Sequence, residues 1–259
     1  TQPVGTIASG ALTVEFKEPL DPDPDTAGLT PAENPQATDN NVPTPHCLPE
    51  RPIIGIAKRL DSVAESETVQ GLFEAEFSLL IENLGNVDLV NVQVTDDLSA
   101  TFPDGVFAGL IGVPVVQAPL AGNGSLYTGD PSGTIELLNA SASTLPVGEQ
   151  ALISFRVLLD PVAAQNYGPF DNTAFAYGES PEGTPTQDQS DDSGELEPDP
   201  NDNDDPTEPG ENDPTPIELP IDPELGLAKR VIDGPTPILG MPGVYDVTYE
   251  MIVQNTGNV

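Results

Sequence analysis

The chain has 259 residues, 43 of them acidic and 7 basic, so its formal net charge is −36. This charge excludes a nucleic-acid-binding protein, because nucleic-acid phosphates repel an acidic surface. A single cysteine and a single histidine exclude a disulfide framework or a Cys/His zinc site within one chain, so a metal must be held by oxygen ligands. No apolar run approaches the roughly 20 residues that a membrane-spanning helix needs.

Two stretches of the sequence recur after 171 or 172 residues. Residues 54–60 (IGIAKRL) return at 225–231 (LGLAKRV), and residues 83–87 (NLGNV) return at 255–259 (NTGNV). This period is far longer than a solenoid unit of roughly 20–50 residues, so each repeat is expected to fold as a domain. In chain order we predict the last strands of a preceding repeat at 1–20, an acidic proline-rich linker at 21–50, a complete repeat at 51–187, a second acidic linker at 188–224, and the first strands of the next repeat at 225–259.

Apolar and polar residues alternate through the complete repeat, with the period of two that is typical of half-buried strands. Clusters of Gly, Pro, Asn and Asp separate these stretches. A break in the alternation near Leu89 and Val90 predicts a β-bulge. The pattern predicts an all-β fold, an immunoglobulin-like antiparallel sandwich. The predicted strands are 54–60, 69–81, 87–96, 106–116, 134–138, 151–159 and 172–177.

Residues 188–224 concentrate the negative charge, with 15 acidic residues and 8 prolines in 37 positions. One interpretation is a stiff, self-repelling spacer. The other is a Ca²⁺ site, because hard oxygen ligands at alternate positions suit a loop that wraps this cation. The match to an EF-hand is imperfect, since Asp204 stands where that loop needs glycine. The candidate ligands are Asp199, Asn201, Asn203, Asp205, Glu208, Glu211 and Asp213, with a weaker set at Asp21, Asp23 and Asp25.

The alternation within the predicted strands places three polar residues on inward faces, where burial of a polar side chain is unfavourable. They are Lys58, Asp96 and Asn172. Burial favours a neutral lysine amine and a protonated carboxyl. The amine of Lys58 could then attack the carboxamide of Asn172, assisted by Asp96, to form an isopeptide bond with loss of ammonia. The alternative is a Lys58 salt bridge to Asp96 or Asp97, with Asn172 bonded to backbone groups.

Six motifs in order resemble the repeat of bacterial and archaeal surface proteins known as domain of unknown function 11. They are 57–59 (AKR), 82–87 (ENLGNV), 92–98 (VQVTDDL), 146–149 (PVGE), 172–174 (NTA) and the acidic proline-rich tail. The resemblance spans the complete repeat. It implies immunoglobulin-like modules in long secreted or surface-anchored proteins, without a shared catalytic activity.

Three classes of function remain open. The first, which we favour, is a non-enzymatic extracellular stalk or adhesin segment with calcium-stiffened linkers. The second is a filament or coat subunit, in which strands at 6–16 and 225–259 are completed by neighbouring identical chains through strand addition. The third is a ligand-binding module of a secreted enzyme, which the absence of Trp disfavours. The expected partners are neighbouring repeats or identical chains, and surface ligands for an adhesin.

Overall fold

Three short strands near the start of the chain form an antiparallel sheet in the computed structural model, which describes residues 4–8, 11–15, 44–46, 49–69 and 71–259. These strands are β1 (Val4–Ala8), β2 (Ala11–Glu15) and β3 (Thr44–His46), in the order β1-β2-β3. The first two fall in the segment that was expected to end a preceding repeat. The third lies inside the segment 21–50, so that predicted linker contains a strand.

The larger sheet of the complete repeat is built on three long antiparallel strands. The strands are β4 (Ile54–Glu65), β5 (Phe73–Asn83), β7 (Phe107–Leu110), β8 (Val115–Val116), β9 (Gln150–Leu159) and β13 (Asp191–Asp192). Their order in the sheet is β13-β4-β5-β9-β7, with β8 also paired to β9. Every pairing is antiparallel except that of β13 with β4.

A second, smaller sheet faces the first, with the strand order β12-β11-β6. Its strands are β6 (Val90–Asp96), β11 (Ala174–Glu179) and β12 (Pro185–Gln189). Beside it, β10 (Phe170–Asn172) pairs with β14 (Thr215–Ile217). Two short helices, α1 (Leu98–Thr101) and α2 (Pro161–Ala164), and 3₁₀ turns at Gly124–Leu126 and Ala140–Ala142 complete the connections. Across the described residues, no helix is long and apolar enough to cross a membrane.

The hydrophobic core lies between these two sheets. Alternate residues of β5 point inward, and Phe73, Phe77 and Ile81 among them are fully buried. Val94 and Ala176 close the core from the second sheet. Burying a large apolar side chain contributes about 1.5–3 kcal/mol, so this alternation accounts for the layered arrangement. The all-β, immunoglobulin-like sandwich predicted from the sequence is confirmed.

Local departures from the predicted strands have identifiable causes. The strand expected from residue 69 begins at Phe73, because the hydroxyl of Ser66 accepts the N–H of Val69 and Gly71 adopts φ +82° in a turn. Residues 134–138 make isolated bridges instead of a strand. The predicted bulge is present, since the β6–β11 register shifts between residues 90 and 93 and Asn91 has φ +52°.

The acidic segment 188–224 packs against the sandwich, which differs from the prediction of a separate linker. Its strand β13 pairs with β4, and β14 pairs with β10. Ile217 and Leu219 belong to the hydrophobic core. The acidic composition of the segment gave no indication that these apolar residues are buried. Within β14, burial alternates as in a half-buried strand. The packed unit therefore extends beyond residue 187 to about Leu219.

The last part of the chain is the hairpin of β15 (Leu225–Pro237) and β16 (Tyr245–Asn255), which repeats the geometry of β4 and β5. After β5, the amide of Asn83 donates to the Val87 carbonyl at 2.9 Å and its Oδ1 accepts the Gly85 N–H at 3.0 Å. After β16, Asn255 makes the same two bonds, at 2.8 and 3.1 Å. The repeated motif thus encodes the same turn twice.

Gly85 is required in this turn because the backbone passes close by. A Cβ at this position would lie 2.5 Å from the carbonyl oxygen of Arg51 and 2.7 Å from the backbone nitrogen of Ile53. We expect Gly85→Ala to lower the free energy of unfolding by about 1–3 kcal/mol, the usual cost of overpacking, as measured by urea denaturation. Gly194→Ala is the matched control, since a Cβ there meets no atom. Equal stability of the two variants would contradict this assignment.

Candidate functional site

Three polar side chains from three strands are buried next to one another. Lys58 lies in the middle of β4, Asp96 ends β6 and Asn172 ends β10. Their relative exposures are 0%, 1% and 0%. The Nζ of Lys58 lies 2.5 Å from Oδ2 of Asp96. The inward direction that strand phase predicts for these residues is what the structure shows, while their chemical role stays a prediction.

The carboxamide of Asn172 is held on one side only. Its Oδ1 accepts a hydrogen bond of 2.8 Å from the hydroxyl of Thr101, the last residue of α1. Its Nδ2 is buried without a partner, and so is Oδ1 of Asp96. Thr101 is not among the site residues predicted from the sequence. The indication in the sequence is Asp97, a residue that favours the start of a helix. Asp97 accepts the Ala100 N–H at 3.0 Å and so caps the short helix on which Thr101 lies.

Aromatic rings exclude water from this cluster. The Nζ of Lys58 lies 4.9 Å from the ring centroid of Phe77 and 5.7 Å from that of Phe155. The ring of Tyr127 packs edge-on against Phe155 at 5.9 Å, and its hydroxyl donates to the backbone carbonyl of Asp96 at 3.2 Å. The amine of Lys58 therefore lies against the faces of two aromatic rings in an apolar environment.

Burial changes the protonation preferences of the pair. Desolvation lowers the pKa of the Lys58 amine, although the charge and hydrogen bond of Asp96 oppose this. Desolvation raises the pKa of the Asp96 carboxyl, against the charge and the hydrogen bond of Lys58. Both shifts favour the uncharged forms. A neutral amine is a nucleophile and a protonated carboxyl is a hydrogen-bond donor, so the site can support acyl transfer to nitrogen.

Several candidate calcium ligands of the acidic segment accept hydrogen bonds from one another or from the local backbone through their side-chain oxygens. Asp199 is buried and accepts the N–H groups of Asn203 and Asp204. The Oε1 of Glu211 accepts from Asn201 at 2.7 Å. Within 49–69 and 71–259, no three acidic, His or Cys side chains converge as metal ligands would. Of the other candidates, Asp205, Glu208 and Asp213 lie in the same segment, whereas Asp21, Asp23 and Asp25 lie outside the described residues. Calcium stays a prediction.

The acidic segment also buries carboxyls against β4, and this gives a pH dependence. Burial raises the pKa of Asp188 to about 7, although the Ile56 and Gln189 N–H groups bond its carboxylate. The folded protein then keeps a proton that the unfolded chain has lost. The contribution of Asp188 to stability is therefore fully present below about pH 4 and is lost as pH rises through about 7. Burial raises the pKa values of Asp191 and Glu211 as well, with the same sign.

We expect the urea midpoint of the wild-type protein to fall between about pH 4 and pH 8. Asp188→Asn should reduce this fall, because its side chain cannot titrate. Asp171→Asn is the control, since it makes the same charge change at an exposed position. A midpoint that rises or stays level over this range would refute the assignment of Asp188.

No family model and no curated protein matches the sequence. Among solved structures, the fold is similar to the full-length major pilin SpaD of Corynebacterium diphtheriae, at a TM-score of 0.36 and 13% identity over 78% of this chain and 51% of the pilin. It is also similar to BcpA, the major pilin subunit of Bacillus cereus, at a TM-score of 0.36 and 10% identity over 85% of this chain and 61% of that one.

A further similarity is to the GH20 exo β-N-acetylglucosaminidase of Vibrio harveyi, at a TM-score of 0.29 and 14% identity over 54% of this chain and 18% of the enzyme. The chain thus spans less than two thirds of each of these three structures. At this level of similarity, neither a filament role nor an enzymatic activity follows for this chain.

Proposed function

We propose that the chain is a non-enzymatic structural segment of a large extracellular protein, built from immunoglobulin-like domains in a row. The observation that carries this proposal is the recurrence of one turn geometry at two places 172 residues apart, after β5 and after β16. Repeated domains in series are typical of stalks. The resemblance of the motifs to domain of unknown function 11 supports the same role and a place at the cell surface.

The connection between the repeats is short and hydrogen-bonded to the turn after β16. The packed unit extends to about Leu219, and β15 begins at Leu225. Between them, the N–H of Asp222 donates to Oδ1 of Asn258 at 2.6 Å, and Nδ2 of Asn258 donates to the Pro220 carbonyl at 2.9 Å. These two bonds restrict residues 220–222 at this joint. This supports an extended and stiff arrangement, which suits a stalk that projects from a surface.

The hairpin of β15 and β16 supports a filament or coat subunit as the second candidate. Its apolar side chains are exposed in the described structure, with Leu225 at 71%, Leu227 at 66% and Val253 at 62%. Apolar strands of this length need a covering layer, which could come from further repeats or from an identical chain by strand addition. The two sources correspond to a stalk and to a filament.

Sedimentation of the chain over a range of concentrations separates the two candidates. An elongated monomer at every concentration supports the stalk, whereas growing polymers that Val253→Glu abolishes support the filament. Compact monomers with a low frictional ratio would contradict both. Sedimentation and thermal unfolding, each measured in millimolar calcium and then in chelator, test the cation. A longer particle with a higher unfolding temperature in calcium is expected if Ca²⁺ stiffens the acidic segment, and no change would contradict that part.

A further inference from the structure

We propose that the side chains of Lys58 and Asn172 become joined by an intramolecular amide bond, with Asp96 as the acid-base catalyst. All three groups are buried, the lysine Nζ is 2.5 Å from the Asp96 carboxylate, and the carboxamide nitrogen of Asn172 has no hydrogen-bond partner. A buried ion pair with an unpaired amide beside it is a costly arrangement. Bond formation removes both the buried ionisable amine and the unpaired nitrogen.

The reaction balances without a co-reactant. The neutral Nζ of Lys58 adds to Cγ of Asn172 while protonated Asp96 donates its proton to the carbonyl oxygen. Asp96 then takes a proton from the attacking nitrogen and passes it to Nδ2, and the bond between Cγ and Nδ2 breaks. The products are a secondary amide and one ammonia, and Asp96 regains its proton when the carbonyl re-forms. No atom is oxidised or reduced.

Thr101 is a further participant that the structure identifies. Its hydroxyl donates to Oδ1 of Asn172 at 2.8 Å. That oxygen gains negative charge when the amine adds, so a donor fixed in advance stabilises the tetrahedral intermediate. The same bond fixes the carboxamide in one orientation, with Oδ1 held by Thr101 and Nδ2 left free to depart. The rings of Phe77 and Phe155 keep the amine neutral by excluding water.

The bond would connect the first long strand of the larger sheet to the short strand β10 beside the second sheet. Lys58 is in β4, which pairs with β5, and Asn172 ends β10, which pairs with β14. The two residues are 114 positions apart in sequence. A covalent link at this place closes residues 58–172, which contain the strands β5 to β10, into one loop. Pulling on the chain ends then cannot extend the residues inside this loop.

Intact mass spectrometry of the purified chain tests the bond. We expect a mass that is one ammonia short of the sequence, in denaturant and in reductant alike. Lys58→Met, Asn172→Ala and Asp96→Asn should each restore the full mass. Lys229→Met is the matched control, because Lys229 stands at the equivalent position of β15 but is exposed. It should keep the ammonia deficit. A full mass for the wild-type chain would overturn the proposal.

A tryptic map identifies the bonded residues, because the chain has only three lysines and four arginines. A bond from Lys58 to Asn172 joins the peptide that ends at Arg59 to the peptide 157–229, and it blocks cleavage after Lys58. A bond to Asp96 would instead join the first peptide to 60–156, with loss of water. That product, or no joined peptide, would overturn the proposal.

Thr101→Val provides a kinetic test that does not depend on loss of the fold. The variant keeps the shape of the side chain and removes the hydroxyl donor, so we expect the ammonia deficit to develop at least tenfold more slowly after cell-free synthesis of the chain. Thr173→Val is the control, since Thr173 follows Asn172 and makes no hydrogen bond to its carboxamide. Equal rates for the two variants would remove Thr101 from the mechanism.

Discussion

The double variant Lys58→Met/Asp96→Val is expected to unfold with about 5 kcal/mol less free energy than the wild-type protein. A cross-link between residues 114 apart restricts the unfolded chain, and the chain-entropy treatment of disulfides gives about 5 kcal/mol for a loop of this length. The variant removes this cross-link and leaves no buried charge behind. Guanidinium denaturation, monitored by intrinsic tyrosine fluorescence, measures the difference.

The sign of this change separates the amide bond from a simple ion pair. Replacing a buried ion pair by apolar side chains of similar size is often neutral or stabilising, by about 1–4 kcal/mol. A double variant as stable as the wild-type protein would therefore show that Lys58 and Asp96 form only a salt bridge. Lys229→Met serves as the control for the loss of a lysine and should leave the stability within about 0.5 kcal/mol.

Phe77→Ala is expected to lower the free energy of unfolding by about 3–5 kcal/mol, the range for removal of a buried phenylalanine. The ring is fully buried, and it packs against Phe155 at 5.5 Å between centroids. Its loss also admits water to the amine of Lys58, which lies 4.9 Å from the ring. Water favours the charged amine, so the ammonia deficit should form slowly and incompletely. Denaturation and intact mass measure the two effects.

Phe175→Ala is the control for this variant, because Phe175 lies on β11 with 40% of its surface exposed. We expect it to change the stability by about 0.5 kcal/mol or less and to leave the mass deficit complete. If Phe77→Ala were as stable as Phe175→Ala, the core described between the two sheets would be wrong. If its mass deficit formed as fast as in the wild-type protein, the ring would have no part in keeping the amine neutral.

Much of the buried cluster could be predicted because strand phase is a local property of the sequence. Lys58 shares the parity of Ile54 and Ile56, and that parity is sufficient to place its side chain in the core. The sequence left the partner of Lys58 open between Asp96 and Asp97, because alternation does not specify how the two sheets pack. The structure places Asp96 against it. Thr101 could not be found in this way, because it lies on a one-turn helix whose direction depends on the cap at Asp97.

The acidic segment shows where composition misleads. Its charge predicted a segment separate from the domain, yet Thr215, Ile217 and Leu219 are buried against the sandwich. Three apolar or hydroxyl side chains in a run of acidic residues and prolines change the average composition little. Their burial depends on the open edge that β10 offers to β14. The alternation within β14 marks a half-buried strand but does not identify its pairing partner, so a boundary drawn from composition alone fell too early.

The most direct test of a covalently locked structural domain is the stretching of single molecules held by their two ends. Residues between Lys58 and Asn172 cannot extend if the bond is present, and a fully extended residue spans roughly 3.3–3.6 Å. We expect the wild-type chain to extend roughly 400 Å less than the Lys58→Met variant before it becomes taut. Equal contour lengths for the two chains would contradict the account.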